Sequence, residues 1–318
     1  MIKQYPKIFC KKIRVKLKEM FYRPKAYIFI IHRVEEINKE GIKINEILKI
    51  SPKSLEEFII LCRKKKYNFI SIERFIKMFK KKELTGKEII LTIDDGYKDV
   101  FERGLSILEK YKIPFVFYLS TSFLERRFFY WWYLLEEIIL KNEEVIFKNK
   151  KYKCKSLKEK NALFKKIRRK IAFLKDEEEL KDLFSNYELK VKKDYYNSLF
   201  LQWKEIREKL KNPLITIGNH GDGHFFFNSK EEEEIEKDII KAQNLIKKNL
   251  NIKTKHFSYP YGDIISISKK HSEIIKRLGF VSGVTTENRP VNYKDDLLYL
   301  PRINLSEFNY KKIIRKLK

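Results

Sequence analysis

Short β-branched runs alternate with helical patterns from about residue 25 onward, and this alternation constrains the fold more than any other feature. The strand-length runs occupy residues 27–32, 67–72, 88–93, 114–120, 214–218, 256–260 and 280–286. Helical patterns separate most of them, as at residues 54–66 and 73–82. Strands that alternate with helices are typical of βα units around a largely parallel sheet. We therefore predict an α/β domain over residues 25–318, with functional side chains at the C-terminal ends of its strands.

The alternation breaks between about residues 126 and 210, where long helical patterns are rich in Lys and Glu. Within this block, residues 144–154 form the one stretch with a strand-like pattern. Because βα patterns lie on both sides, we interpret residues 126–210 as a mainly helical insertion; a separate domain is the alternative. The aromatic cluster at residues 128–133 favours a core of the insertion over a sugar platform or a membrane-interface belt. The block follows the end of a strand and is therefore a candidate lid.

The formal net charge is +28, from 71 Lys and Arg residues against 43 Asp and Glu residues. This excess fits an anionic partner, such as nucleic acid or an anionic membrane surface, or a Lys-rich coding bias. The lysines are spread along the chain, whereas nucleic-acid binders gather them on one face, so nucleic acid is disfavoured as a partner. Residues 1–24 form a basic amphipathic segment that suits either peripheral contact with an anionic membrane or packing on the domain.

The apolar stretches have the length of strands, well below the ~20 residues that a membrane span needs. Lysines interrupt the N-terminal segment, so it lacks the apolar region of a secretory signal. We expect a cytoplasmic protein, with peripheral contact at the inner membrane face as an option.

Two adjacent carboxylates, Asp94 and Asp95, stand where the run at residues 88–93 stops. Neighbouring side chains of a strand point to opposite faces, so the pair can share one site if the chain turns there. Gly96 lets the backbone turn. An Asx turn or a helix N-cap is the simpler explanation, but it requires one aspartate. Two like charges this close favour a bound cation.

His220 and His224 follow another predicted strand, and their spacing suits two imidazoles on one metal ion. The chain has five histidines in total, so two within five positions is a notable concentration. A third strand end carries Tyr259, Pro260 and Tyr261. The proline sets a turn, and the tyrosines offer aromatic faces suited to a sugar ring, although an ordinary βα turn has the same composition.

These three segments together resemble the polysaccharide deacetylase family, which has the NodB-homology domain. The family pattern runs TFDDG, then H-S/T-x-x-H, then RxPY. The corresponding text here is TIDDG at residues 92–96, HGDGH at residues 220–224 and SYPY at residues 258–261. The resemblance covers about residues 25–125 and 210–305. It implies a distorted (β/α) barrel of NodB type and metal-dependent removal of acetyl groups from N-acetyl sugars.

The resemblance also implies a role for each matching residue. Asp94 would be the general base, and the metal would be bound by Asp95, His220 and His224. Zinc is the expected ion for this ligand set, with Co²⁺ or Ni²⁺ as alternatives. The turn at Tyr261 would offer a backbone N–H to the developing oxyanion, and we assign Tyr259, Pro260 and Tyr261 to substrate binding.

Three departures from the family pattern affect the predicted site. Ser258 stands where the pattern has Arg, and we expect Arg302, near the end of the domain, to supply that charge. Gly221 replaces the Ser or Thr after the first histidine. A late Leu-x-His that would provide the general acid is missing, so His32, at the end of the first strand, is the candidate acid. A strand-end histidine with a structural role is the alternative for His32.

The predicted function is hydrolytic removal of N-acetyl groups from a glycan or a lipid-linked glycan precursor. One alternative is hydrolysis of another acyl group, such as formyl, on a lipid-linked sugar. Another is a glycan-binding pseudoenzyme, and a nucleic-acid-binding protein is the least favoured. Metal content and acetate release, measured together, separate these possibilities.

Overall fold

The computed structural model describes residues 24–148, 150–174, 177–187 and 193–317. Strands cover Ala26–Ile31 (β1), Arg33–Val34 (β2), Lys49–Ile50 (β3), Asn68–Phe69 (β4), Glu88–Ile93 (β5), Phe115–Leu119 (β6), Glu144–Phe147 (β7), Lys150–Lys153 (β8), Ile215–Asn219 (β9), His256–Ser258 (β10), Ser282–Val284 (β11) and Ile303–Asn304 (β12). The basic segment predicted at residues 1–24 lies outside the described residues, apart from Pro24.

The α-helices cover Lys43–Glu46 (α1), Pro52–Lys64 (α2), Ile72–Lys81 (α3), Leu105–Lys110 (α4), Thr121–Leu124 (α5), Trp131–Lys141 (α6), Leu157–Ile171 (α7), Glu177–Asp182 (α8), Lys193–Ser198 (α9), Trp203–Lys209 (α10), Glu232–Leu250 (α11), His271–Arg277 (α12) and Tyr310–Lys316 (α13). A π-helical turn covers Val100–Gly104, and a 3-10 turn covers Phe227–Ser229. Among the described residues, no helix has the length and apolar character needed to cross a membrane.

Seven strands form one curled parallel sheet in the order β11-β10-β9-β6-β5-β1-β12, and β4 pairs beside the start of β5. The segment before β12 reaches the opposite edge of this sheet. Gly283 donates its N–H to the carbonyl of Leu297 at 2.8 Å, and Leu300 donates to the carbonyl of Gly283 at 2.8 Å. Since β12 itself pairs with β1, the two edges approach each other through this segment. The predicted α/β class and the distorted barrel are confirmed.

The two faces of the sheet belong to different hydrophobic clusters. Every residue of β1 and β5 is buried, as expected for parallel strands that are covered on both faces. Phe29 and Leu91 pack with the helix residue Phe58 in one cluster, whereas Ile28 and Ile90 belong to a second cluster. The second cluster also includes Val116 and Tyr118 of β6, Val284 of β11 and Leu300, so it joins strands from across the curled sheet on its inner face. The same alternation determines which side chains just beyond the end of a strand face the inside of the curled sheet.

Two predicted elements have different bounds in the structure. The run at residues 67–72 is a strand only over Asn68–Phe69, because Ser71 caps α3 by accepting the N–H of Arg74. The helix predicted at residues 54–66 begins at Pro52, and its N-cap is Ser51. Strands β2, β3 and β12 contain two residues each, which is too short to produce a periodic pattern in the sequence.

The block between β6 and β9 contains helices α5 to α10 and the antiparallel hairpin of β7 and β8. Strands β6 and β9 are neighbours in the sheet, so the block leaves and re-enters the barrel at adjacent strands. Residues 144–154, the strand-like stretch of the sequence, contain this hairpin. In the aromatic cluster, Tyr130, Trp131 and Trp132 are buried, in agreement with a role in packing.

Candidate active site

Asp94 follows β5 directly and continues the inward-facing register of Ile90 and Thr92. Arg302 donates from Nη1 to Asp94 Oδ1 and from Nη2 to Asp94 Oδ2, each at 2.8 Å. Ser258 donates from Oγ to Asp94 Oδ2 at 2.8 Å and accepts from Arg302 Nη2 at 2.9 Å. The Asp94 carboxylate is therefore held by a two-pronged guanidinium contact and a hydroxyl.

Arg302 lies beside Asp94, as the sequence analysis predicted. The family pattern places its arginine where this chain has Ser258. Asp94 and Arg302 are each 1% exposed, so this ion pair is fully buried. Arg302 also donates from Nε to the carbonyl of Thr285 at 2.8 Å and from Nη1 to Thr92 Oγ1 at 3.1 Å. Burial opposes ionisation of Asp94, but the charge and hydrogen bonds of Arg302, together with His220, hold the pKa of this carboxyl below its usual value.

Asp95 turns back toward the same cavity because its own backbone is left-handed, with φ of 76°, and Gly96 follows with φ of 97°. Aspartate tolerates this conformation better than most residues. As a result, Asp95 Oδ1 lies 3.3 Å from His220 Nε2 and 3.4 Å from His224 Nε2. The predicted turn exists, and Asp95 contributes to it as well as Gly96.

The three predicted ligands fit a divalent metal ion. One side-chain atom of each of Asp95, His220 and His224 lies within 4.8 Å of the others. Two ligands ~2.1 Å from a zinc ion at a tetrahedral angle lie about 3.4 Å apart, which is close to both measured oxygen-to-nitrogen distances. Asp95 Oδ1 is buried and receives no hydrogen bond within the described residues. A buried carboxylate oxygen without a donor is costly unless a cation meets it.

The tautomer of His220 also suits a metal ligand. Its Nδ1 lies 2.7 Å from the carbonyl oxygen of Ser258 and donates to it, so Nε2, which faces Asp95, is the nitrogen available to a metal ion. A carbonyl partner of this kind commonly orients a metal-binding imidazole. Ser258 thus contributes its hydroxyl to the base and its carbonyl to a metal ligand.

The loop between the two histidines explains the glycine that departs from the family pattern. Gly221 has φ of 74°, and a Cβ at this position would lie 2.6 Å from Asp238 Oδ2. The Asp238 carboxylate accepts the backbone N–H groups of Asp222, at 2.9 Å, and Gly223, at 2.5 Å. Asp238 therefore occupies the space of a side chain at Gly221 and fixes the loop that carries His220 and His224.

A cavity of about 310 Å³ opens beside these groups. It is lined by His32, Asp94, Asp95, His220 and His224, among others. His32 stands at the predicted end of β1, and its Nδ1 is buried without a hydrogen-bond partner among the described residues. Burial holds the pKa of His32 below its usual value, against the attraction of Asp95 and Asp94.

The Tyr-Pro-Tyr segment is placed only partly as predicted. Tyr261 lines the cavity in a left-handed conformation, with φ of 59°, and its ring stacks on Phe226 at 3.7 Å between centroids. Tyr259 also borders the cavity, but its side chain is 0% exposed, and its hydroxyl donates to the carbonyl of Leu298. The prediction that its ring stacks on a sugar is wrong, because the ring packs in the core. Pro260 is buried and shapes the turn by accepting the N–H of Gly262.

Comparison with known families agrees with this geometry. The family model "Polysaccharide deacetylase" matches residues 81–283, which is well over half of the chain and includes the aspartate pair, both histidines and Tyr261. The chain belongs to the polysaccharide deacetylase family.

Similar proteins are known both by sequence and by structure. Poly-beta-1,6-N-acetyl-D-glucosamine N-deacetylases of Staphylococcus aureus strains are 25% identical over 131 residues, which cover 39% of this chain and 44% of the relative. The match thus spans less than half the length of these curated relatives.

Among solved structures, the Streptococcus pyogenes deacetylase PplD in complex with acetate has 17% identity and a TM-score of 0.61, covering 92% of this chain and 98% of that chain. IcaB from Ammonifex degensii has the same identity and TM-score and covers 92% and 97%. These likenesses establish a shared fold.

Other residues at this candidate site were not singled out from the sequence. Trp131, Phe164 and Arg168 come from the block at residues 126–210, and all three line the cavity. Trp131 donates from Nε1 to the hydroxyl of Tyr261 at 3.2 Å, and Arg168 pairs with Asp263 at 2.9 Å. An arginine within a Lys- and Glu-rich helical pattern has no local signal that distinguishes it from surface charges. The nearest indication in the sequence of a partner for this arginine was Asp263, which follows the Tyr-Pro-Tyr turn.

Proposed function

We propose that this chain removes N-acetyl groups from a glycan with the help of a divalent metal ion, of which Zn²⁺ is the first candidate and Co²⁺ or Ni²⁺ are alternatives. The observation that carries the proposal is that a candidate metal site and a candidate general base lie in the same cavity. Asp95, His220 and His224 have the spacing of a metal site, and the buried Asp94 stands beside them with Arg302 on both of its oxygens. When bound, the metal would lower the pKa of a water molecule and polarise the amide carbonyl.

Asp94 would act as the general base that takes a proton from the attacking water. Its carboxylate stays ionised at neutral pH, because Arg302 holds its pKa low. The contacts from Arg302 and Ser258 also fix its orientation, so little reorganisation is needed when the proton moves. His220 Nε2 lies 3.8 Å from Asp94 Oδ2, which places the base next to the proposed metal ligands.

The remaining steps would use Tyr261 and His32. Water adds to the amide carbon, and the backbone N–H of Tyr261 would stabilise the negative charge that develops on the carbonyl oxygen. The C–N bond then breaks, and the proton that Asp94 took from the water would pass to the leaving amine through His32, which is neutral before this step because burial holds its pKa low, while acetate is released. The positions of Tyr261 and His32 support these two roles, because both residues line the same cavity as Asp94.

The decisive experiment measures metal content and acetate release on the same preparations. Wild-type protein loaded with Zn²⁺ should hold about one ion per chain and release acetate from N-acetylated oligosaccharides. His220→Ala should lose both properties. His256→Gln is the matched control, because His256 contacts Ser282 Oγ and Glu73 and does not line the cavity. Full acetate release by a folded His220→Ala variant would refute the proposal.

The same assay separates the other candidate functions. Release of formate from N-formyl sugars without acetate release would indicate a different amidohydrolase. Metal binding and glycan binding without any product would indicate a pseudoenzyme.

We also propose that the substrate is a lipid-linked glycan precursor at the inner membrane face, reached from the cytoplasm. The support is the sequence charge of +28 and the basic segment at residues 1–24, which suit an anionic surface. Turnover of lipid-linked against free N-acetyl sugars, together with cell fractionation, tests this part separately. Equal turnover of both substrates and absence from the membrane fraction would contradict it.

A further inference from the structure

Arg168 brings a charged side chain from outside the barrel into the catalytic cavity. It lies on α7, within the block at residues 126–210, and its side chain is 17% exposed. Its guanidinium carbon stands 5.6 Å from the ring centroid of Tyr261 and 5.7 Å from that of Phe226. The next residue, Arg169, is exposed to solvent. Arg168 is therefore held over the aromatic wall of the cavity.

Asp263 fixes Arg168 in this position but uses little of its hydrogen-bonding capacity. Arg168 donates from Nη2 to Asp263 Oδ2 at 2.9 Å, and this is the one hydrogen bond of its guanidinium within the described residues. The other oxygen, Oδ1, accepts the backbone N–H groups of Ile265, at 3.1 Å, and Ser266, at 3.0 Å. A guanidinium has five N–H donors, so Arg168 retains donors for a ligand in the cavity.

We propose that Arg168, positioned by Asp263, binds an oxygen of the substrate beside the reacting amide and thereby decides which glycans are accepted. This inference rests on the proposed function. A guanidinium next to a carboxylate and an aromatic ring offers a donor, an acceptor and an apolar surface, which together suit a hydroxyl-bearing sugar ring. A site built to hydrogen-bond an oxygen discriminates strongly against analogues that lack it.

The origin of the two partners has a consequence for specificity. Asp263 belongs to the barrel loop that follows Tyr261, whereas Arg168 belongs to the inserted block. The donor site therefore exists only where that block packs against the barrel. Arg168 acts on substrate selection, while Asp94 and the metal ligands perform the chemistry.

The recognised oxygen can be a neutral hydroxyl or part of an acidic substituent, since a guanidinium binds both. Two substrates distinguish a hydroxyl from an acidic group, and each forms one arm of the experiment. One is a neutral N-acetylated oligosaccharide, and the other is the same oligosaccharide carrying a carboxylate or phosphate. A larger effect of Arg168 substitution on the acidic arm assigns the contact to the acidic group. An equal effect on both arms assigns it to a hydroxyl.

The experiment compares kcat and KM of the metal-loaded wild type, Arg168→Gln, Arg168→Lys and the control Arg169→Gln. For loss of a hydrogen bond to a charged group, we expect KM to rise about 10- to 100-fold in Arg168→Gln with kcat little changed. Arg168→Lys should recover part of the loss, because it keeps the charge without the planar fork. Arg169→Gln should match the wild type.

Direct binding of the oligosaccharide in an Asp94→Asn background provides a readout without turnover, and Arg168→Gln should weaken it by the same factor. If wild type turns over the substrate and Arg168→Gln leaves KM unchanged, the inference fails while the proposed function stands. If Arg168→Gln lowers thermal stability and kcat but not affinity, the pair only fastens the inserted block, and the inference also fails. No turnover by the wild type would overturn the proposed function first, and with it this inference.

Discussion

Replacement of Arg302 by Gln tests whether a buried ion pair holds Asp94, the proposed general base. Arg302 uses all five of its N–H donors: two on Asp94 and one each on Ser258, Thr92 and Thr285. Asp94 is 1% exposed, and in Arg302→Gln its carboxylate would keep one observed donor, the hydroxyl of Ser258. Removal of one partner of a buried pair leaves an uncompensated charge.

The expected loss follows from that burial. Breaking a buried ion pair typically costs about 3–5 kcal/mol, and the total free energy of unfolding of a domain is about 5–15 kcal/mol. The Arg302→Gln variant should therefore lose a large fraction of its stability at pH 7. A second change, Asp94→Asn, removes the unpaired charge. We expect the double variant to be more stable than Arg302→Gln alone, although it lacks the base and should release no acetate.

Urea unfolding of the metal-free proteins, followed by circular dichroism, measures these differences. Arg277→Gln is a suitable control, because Arg277 pairs with Glu232 and Glu236 on the surface and should leave the midpoint nearly unchanged. A loss below about 1 kcal/mol in Arg302→Gln would refute the reasoning from burial. A double variant no more stable than Arg302→Gln would show that the unpaired charge is not the cause.

Three further changes test other parts of the site and fold. Gly221→Ala should lower the free energy of unfolding by about 1–3 kcal/mol and weaken metal binding, because φ is 74° and the new Cβ would lie 2.6 Å from Asp238. An unchanged Zn²⁺ titration and an unchanged urea midpoint would contradict this. Ser258→Ala should cost about 1–2 kcal/mol and reduce kcat less than Arg302→Gln does, since Arg302 still holds the base; a larger kcat loss would assign the hydroxyl a greater role. Burial lowers the pKa of His271 to about 4, so its neutral form contributes stability above pH 6.5 that is lost as pH falls toward 4, by about 3 kcal/mol. His271→Asn should flatten the stability profile between pH 7 and 4, and an identical profile would exclude this origin.

The sequence alone located the candidate site. Strand periodicity and turn residues are local properties, so the ends of β5 and β9 could be located, together with Asp94, Asp95, His220 and His224. The spacing of the histidines and the paired aspartates predicted a cation site before any distance was known. The resemblance to the family pattern, which has Arg where this chain has Ser258, led to the prediction of Arg302.

Tertiary structure decided which residues from distant parts of the sequence contact each other, because no local pattern encodes such contacts. The contact between Asp94 and Arg302 joins residues 208 positions apart, and it exists because the sheet curls until the segment before β12 meets the opposite edge at β11. Tyr259 and Tyr261 look alike in the sequence, yet one ring lies in the core and the other lines the cavity, because the chain turns between them. Arg168 has the composition of a surface residue, and only the packing of its helix against the barrel places it over Tyr261. Local spacing thus identified the candidate reactive groups, while closure of the barrel and packing of the inserted block determined which side chains surround them.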